Sequence, residues 1–390
     1  MASVFKRGKT WTYRASYLDE RGVRHQPTKG GYRTKALALA AANELEVSKL
    51  KGADLTGATV TLIGYYDQWL KTYKVGKHSQ VTESRYPTIR RALVEYFGED
   101  MPLKDITRTS WQAFINAYAA GTVTPRDPKN PNPRSRDTVS KLNGYVRSMA
   151  ESAIADRIIY TNFAAGYVNP GTAPLNQSMK YLEADQFTTL LHYCQEHAKL
   201  TRMYLYCIAT AILTGCRASE IIALQWSDID FEHRIIHVTK SWDYVYGTGF
   251  KPTKTPSGVR DIDVPAELTD LLQRLRRGQS AYYMRTGYRD ELDLVFRNNR
   301  HDVPGDAALN HGLKRVEAEL GFEKPITFHG LRHTHVSYLL SKGVDIAYIS
   351  HRLGHSDITI TLRVYQHLLK SHEQAQAEQT VGILSALSAQ

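Results

Sequence analysis

The chain is poor in the residues and runs that mark several large protein classes. It has three cysteines, Cys194, Cys207 and Cys216, an odd number without CxxC spacing, which argues against both a disulfide framework and a cysteine zinc site. It has no long apolar run: the best stretch, Met203 to Leu213, falls short of the roughly 18 residues needed to span a bilayer. The start, MASVFKRGKTW, is basic but has no apolar segment behind it, so nothing in it reads as an export signal. Fixed-period repeats and low-complexity tracts are also missing. These absences lead us to expect a soluble, reduced, cytoplasmic protein. At 390 residues it exceeds one ordinary core of roughly 250–300 residues, so two or three domains are expected.

Charge is present in plenty but unevenly. The formal net charge is +11. Residues 1–60 carry 11 basic and 5 acidic side chains, residues 61–175 carry 15 and 10, and the rest is balanced at 24 and 24. A positive field confined to the first half points to a polyanionic partner, of which nucleic acid is the commonest.

Residues 10–17, TWTYRASY, alternate Trp11, Tyr13, Ala15 and Tyr17 with polar neighbours, the period of a half-buried strand. A turn at 19–22 and a second short strand over 23–27 follow, and Gly30-Gly31 reads as a break before Tyr32. Thr34 caps an Ala- and Leu-rich helix that runs to about Lys51. GADLTGAT then reads as a linker. From Val60 to about Ala165 the pattern is helical, with Leu62, Tyr66, Trp69 and Leu70 on one face and Trp111, Phe114, Ile115 and Tyr118 on another. Within it, VTPRDPKNPNPRSRD at 123–137 reads as a mobile loop. A second linker is expected at 166–178. Beyond it come helices at about 183–197 and 200–214, strands at 234–239 and 259–264, and helices to the end. The expected fold is multidomain α+β, with domains at 1–51, 60–165 and 176–390.

Four stretches of the last domain carry polar side chains suited to one task, stabilising and attacking a phosphodiester. In TGCRASEIIAL, Arg217 follows a glycine and opens a helix. In KPTKTPSGVRDIDV, Lys254 lies in a loop or hairpin before a strand holding Ile262 and Val264. In HGLRHTH, His329 and Arg332 are neighbours on a helix face if the helix begins there. The fourth, LGHSDITITLRVYQHL, holds His355 and Tyr365.

Each stretch resembles a box of the tyrosine recombinase family: TGxRxSE, KTxSGxR, HxLRH, LGH and YxH, in that order over about 150 residues. Each is weak alone, and together they are strong. The resemblance extends to most of the chain and is to the phage and conjugative-transposon integrases. It implies a small arm-type DNA-binding domain of three-stranded sheet plus helix. An all-α, SAM-like core-binding domain would follow, then a mainly α catalytic domain with a small antiparallel sheet. It also assigns roles. Tyr365 would attack the scissile phosphorus, with His329 assisting its proton away. Arg217 and Arg332 would hold the non-bridging oxygens, Lys254 would protonate the leaving 5′ oxygen, and His355 would bind the phosphate or order the site. Glu220 would orient Arg217.

The family uses no metal, ATP or other cofactor and passes through a Holliday junction. Four protomers gather on paired double-stranded DNA sites of core and arm type in a bacterial host, with room for a host bending protein and an excisionase. No membrane is involved.

Rival readings differ at named residues. Lys251, three residues before Lys254, competes for the acid's role. Tyr338 and Tyr348 compete with Tyr365 but sit in runs that look like core. His333 and His335 read as structural. A zinc hydrolase using His329 and His333 would need glutamate at 330, where the chain has Gly330, and Arg332 would repel the cation. A DNA-binding regulator without catalysis would show a damaged set of boxes. A type IB topoisomerase is disfavoured by the arm-like N-terminal segment. After Tyr365 the tail places Val381, Leu384 and Leu387 at three-residue spacing, a short stripe that needs a surface in its own or a neighbouring protomer.

Overall fold

The computed structural model describes residues 3–18, 24–26, 28–50, 60–125, 127, 129–173, 181–359, 361–362, 380–381 and 385. The chain divides into two compact units, 1–174 and 175–390.

At the N-terminus, β1 (Ser3–Arg7), β2 (Thr10–Arg14) and β5 (Thr28–Tyr32) form an antiparallel sheet in the order β1-β2-β5. Between β2 and β5, β3 (Tyr17–Leu18) and β4 (Arg24–His25) pair separately. Thr34 accepts the Leu37 N–H at 3.2 Å and starts α1 (Lys35–Leu50). Small Ala38 and Ala42 let this helix approach closely, and Ala42 is buried with Tyr13 and Ala15. The expected break at Gly30-Gly31 is corrected: both glycines lie inside β5. A Cβ on Gly30 would stand 2.7 Å from Thr12 Oγ1, so the missing side chain makes room for the neighbouring strand, where β2 and β5 shift register.

The helical part of the first unit comprises α2 (Leu62–Tyr73), α3 (Gln80–Glu83), α4 (Arg85–Phe97), α5 (Arg108–Ala120) and α6 (Arg136–Ala155). Both expected apolar faces are buried in one cluster, with Tyr66, Trp111 and Phe114 almost wholly enclosed. Inside it the Trp111 indole N–H reaches Asn143 at 2.8 Å, so burying that polar atom carries little penalty. Two expectations change here. The Pro-rich loop is tied down at one end by Arg134, which donates to the Tyr118, Val123 and Thr124 carbonyls. Residues 166–173 also pack back as part of this unit: Val168 and Gln112 exchange two bonds of 2.8 Å, and Asn169 donates to the Arg136 carbonyl.

The second unit is built around α8 (Met203–Thr214), which is apolar almost all round and buried accordingly. Around it stand α7 (Ala184–His197), α9 (Ala218–Ile222), α10 (Ala266–Thr286), α11 (Asp306–Glu319) and α12 (Phe328–Ser341). A three-stranded antiparallel sheet, β10-β7-β6, joins β6 (Ile229–Asp230), β7 (Ile235–Val238) and β10 (Arg260–Asp263). Ile236, Val238 and Ile262 point into the core, while His237 and Asp261 pair across the other face at 2.7 Å. The sequence left open a loop or hairpin before β10, and it is a hairpin, β8 (Lys240–Asp243) with β9 (Gly249–Pro252). Finally α13 (Ile346–Leu353) packs on α12 through Ile349 and Leu353, four residues apart.

Tyr348 is corrected from core to 48 % exposed, because it lies beside that buried stripe rather than in it. It lines an apolar cavity of about 590 Å³ together with Phe187, Leu191, Leu213 and Tyr338. Among the described residues, no helix is long and apolar enough to cross a membrane.

Candidate active site

The four polar stretches meet because glycines and guanidinium groups tie their backbones together. Gly215 ends α8 at φ +69, and a Cβ there would strike the His335 ring and Leu353 at 2.7 and 2.8 Å. Its carbonyl accepts from one terminal nitrogen of Arg332 at 2.9 Å. The other terminal nitrogen reaches the carbonyl of Leu353, the last residue of α13, at 2.8 Å. One buried side chain of HGLRH thus joins TGCR to LGH. Gly354, also at positive φ, admits the KTPSGVR turn: a Cβ on it would lie 2.7 Å from the Ser257 carbonyl oxygen.

Glu220 is the electrostatic centre. This buried carboxylate accepts from Arg217 at 2.6 Å, from the Arg217 backbone N–H at 3.0 Å and from Arg260 at 3.0 Å. Burial alone would raise its pKa, but the Arg260 and Arg217 charges outweigh burial and hold it below the ordinary carboxylate value. The expected contact of Glu220 with Arg217 is present. Arg260 was not singled out from sequence, although it closes the KTxSGxR box. It also donates to the carbonyls of Arg352 at 2.6 Å and Gly258 at 2.8 Å. Residue types alone could not reveal those backbone partners.

Arg332 is buried too. Burial, then the Arg217 charge, lowers its pKa to about 10, which leaves it cationic at neutral pH. Two of its five N–H groups are spent on carbonyls, and the other three have no hydrogen-bond partner among the described residues. His329 and Arg332 sit one turn apart, since α12 does begin at this box, capped by Thr327. His329 keeps an accessible face, yet desolvation first, and the Arg332 and Arg217 charges second, depress its pKa. His355 donates to or accepts from Thr361 at 2.7 Å, and burial followed by Arg332, Arg217 and Arg260 lowers its pKa to about 4. Neutral imidazoles therefore face a cluster of cations. His335 is structural as expected: its Nδ1 lies 2.7 Å from the Ile212 carbonyl and burial lowers its pKa to about 4.

Lys251 forms an ion pair with Asp243 at 3.5 Å. Lys254 stands exposed in the bend after β9, and no ion pair holds it among the described residues. Tyr365 lies outside the described residues.

Comparison with known proteins identifies the family. Residues 180–372 match the Phage integrase family and residues 3–49 match an Arm DNA-binding domain. The ICEBs1 integrase of Bacillus subtilis is 26 % identical over 252 residues, 64 % of this chain and 67 % of that protein. In fold, the chain resembles the Tn1549 transposon integrase in complex with a circular intermediate DNA. The TM-score is 0.67 at 20 % identity, covering 82 % of this chain and 99 % of that one. It also resembles a lambda integrase tetramer bound to a Holliday junction, with TM-score 0.54 at 18 % identity over 93 % and 94 % of the two chains. The chain thus belongs to the tyrosine recombinase, or phage integrase, family, and is a site-specific DNA recombinase of the kind that mobile elements and prophages carry.

Proposed function

We propose that Tyr365 is the nucleophile of a metal- and ATP-independent strand exchange, carried out on a phosphate gripped by Arg217 and Arg332. The observation that carries this reading is that both arginines are anchored in place, Arg217 by Glu220 and Arg332 by the Gly215 and Leu353 carbonyls. Two guanidinium groups held from behind, with N–H groups to spare, suit the growing charge on the non-bridging oxygens of a pentavalent transition state. A phenol with an ordinary pKa near 10 is protonated at neutral pH, so its proton must be taken during attack. His329, kept neutral by its surroundings, suits that role. Lys254 protonates the departing 5′ oxygen, and its freedom from the Asp243 pair that engages Lys251 favours it as general acid. His355 hydrogen-bonds the phosphate.

The product is a 3′-phosphotyrosyl link and a free 5′-hydroxyl. The link keeps the energy of the broken diester, so a different 5′-hydroxyl can reverse it without ATP. Exchange of one strand pair, then the other, passes through a Holliday junction and integrates or excises the element. In this reading residues 1–51 bind arm-type sites, 60–165 bind core-type sites, and 176–390 cut, with four protomers around two DNA sites. A host bending protein and an excisionase are the accessory partners this scheme allows.

Trapping on a nicked substrate tests it. Tyr365→Phe should abolish the covalent protein–DNA band on denaturing gels while leaving DNA binding within about twofold, because only the nucleophilic oxygen is lost. A band that persists in the variant would move the nucleophile to another tyrosine and overturn the assignment.

A further inference from the structure

Two side chains of α11, neither of them in the four boxes, hold the backbone that leads into HGLRH. Glu317 Oε1 accepts the Ile326 N–H at 2.9 Å, and Asn310 Oδ1 accepts the Phe328 N–H at 2.9 Å. Positions 310 and 317 are two helical turns apart and so share a face. Ile326 lies in the non-helical approach and Phe328 is the first residue of α12, whose N–H has no partner inside the helix, so both N–H groups are free to meet that face. The spacings match as a strap with two rungs. The orientation of the Asn310 amide is fixed by its other end, which donates to the Asp306 carbonyl at 2.9 Å. Glu317 is wholly buried, and its Oε2 has no hydrogen-bond partner among the described residues. Burial raises its pKa to about 7. An apolar residue would fill this place without that desolvation cost, so the rung it supplies is what accounts for a carboxyl here.

The first turn of α12 begins where the strap ends. His329 follows Phe328 directly, and Arg332 lies one turn on. The same end of α11 acts on the site by charge as well: Asp306 is among the groups acting on His329, with Arg332, Arg217 and Glu220.

We propose that Asn310 and Glu317 are positioning residues for strand cleavage, setting the rotation and height of the α12 first turn and through it the placement of His329 and Arg332. The proposal rests on the reading of those two residues as part of the active site. It is tested on the full-length protein by two measurements. Single-turnover formation of the covalent complex on a saturating nicked duplex should slow roughly tenfold or more in Asn310→Leu and Glu317→Leu, with affinity for the duplex within about threefold. Glu317→Gln keeps an acceptor at its rung and should restore the rate to within about threefold of the parent. Asn310→Ala removes only the amide and reads the same quantity if leucine prevents folding.

Amide hydrogen exchange of the free protein gives a second reading. Protection at Ile326 and Phe328 should fall in the leucine and alanine variants, and at Ile326 it should persist in Glu317→Gln. Unchanged cleavage and protection in the leucine variants, or equal loss in Glu317→Gln, would overturn the strap. Failure of the parent protein to form the covalent complex would instead overturn the catalytic reading, and the exchange data would still report on the strap.

Discussion

Two guanidinium groups depend on Glu220, and its charge cannot be removed without stranding both. Glu220→Gln leaves the buried Arg260 without a counter-ion and should cost about 3 kcal/mol in unfolding free energy, measured by urea melts, with a parallel loss of cleavage. Because the folded pKa of Glu220 is depressed, its contribution is complete above the ordinary carboxylate range and is lost as pH falls through the folded value. His335 adds a second acid-sensitive element. Its ordinary pKa is near 6.5 and its folded value about 4, so the unfolded chain binds the extra proton between those limits. Its stabilisation is complete above about pH 6.5 and falls by about 2 kcal/mol at about pH 5. His335→Gln should flatten that part of the stability–pH curve; an unchanged curve would show that the ring is not the acid-sensitive group. Residue types in ordered boxes made Arg217, Glu220, His329, Arg332 and His355 legible in the sequence. Arg260 and the strap residues were not, because their partners, backbone groups and for Arg260 also the distant Glu220, are brought near only in the folded chain.

Elements were legible wherever periodicity reported burial. The faces of α2 and α5 and the alternation of β7 and β10 follow from it directly. Glycine was the harder sign, since the same residue marks a break, a cap or a close approach. Gly30 makes room for Thr12 inside a strand, whereas Gly354 serves the close approach of the KTPSGVR turn to α13. Gly354→Ala combines a positive φ with a collision against the Ser257 carbonyl, and should cost about 2 kcal/mol or more. The bend carrying Lys254 should shift with it. Cleavage by Gly354→Ala should therefore fall further than its melting temperature suggests, whereas parallel losses would mean that the turn and the bend move independently. Tyr348 escaped the sequence reading for the opposite reason: an aromatic in an apolar run looked buried, yet the helix it belongs to is narrow in its contacts and leaves the ring beside an open cavity.

At the scale of the whole molecule, the excess of positive charge in the first half and the match of residues 3–49 to an arm-binding domain support the proposed division of the DNA contacts. Deleting residues 1–51 should abolish binding to arm-type sites while core-site binding and single-strand cleavage persist. Loss of core binding in gel shifts would show that the division is wrong. Beyond Tyr365, the tail's Leu384 and Leu387 lie outside the described residues, and Val381 is 64 % exposed. The apolar cavity beside Tyr348 offers a surface of matching chemistry, in the same or a neighbouring protomer. Leu384→Asp with Leu387→Asp should weaken assembly on paired sites and spare half-site binding; unchanged assembly would assign the tail to its own protomer or to no surface. The bonds that unite the site are also among the most distant along the chain. Arg332 reaches back 117 residues to Gly215, and Arg260 reaches forward 92 to Arg352. Contacts of that span form late, after loop-closure entropy has been met by the surrounding core. A growing chain, emerging from the ribosome N-terminus first, thus presents its arm and helical segments before Arg332 and Arg260 can be gathered into the site.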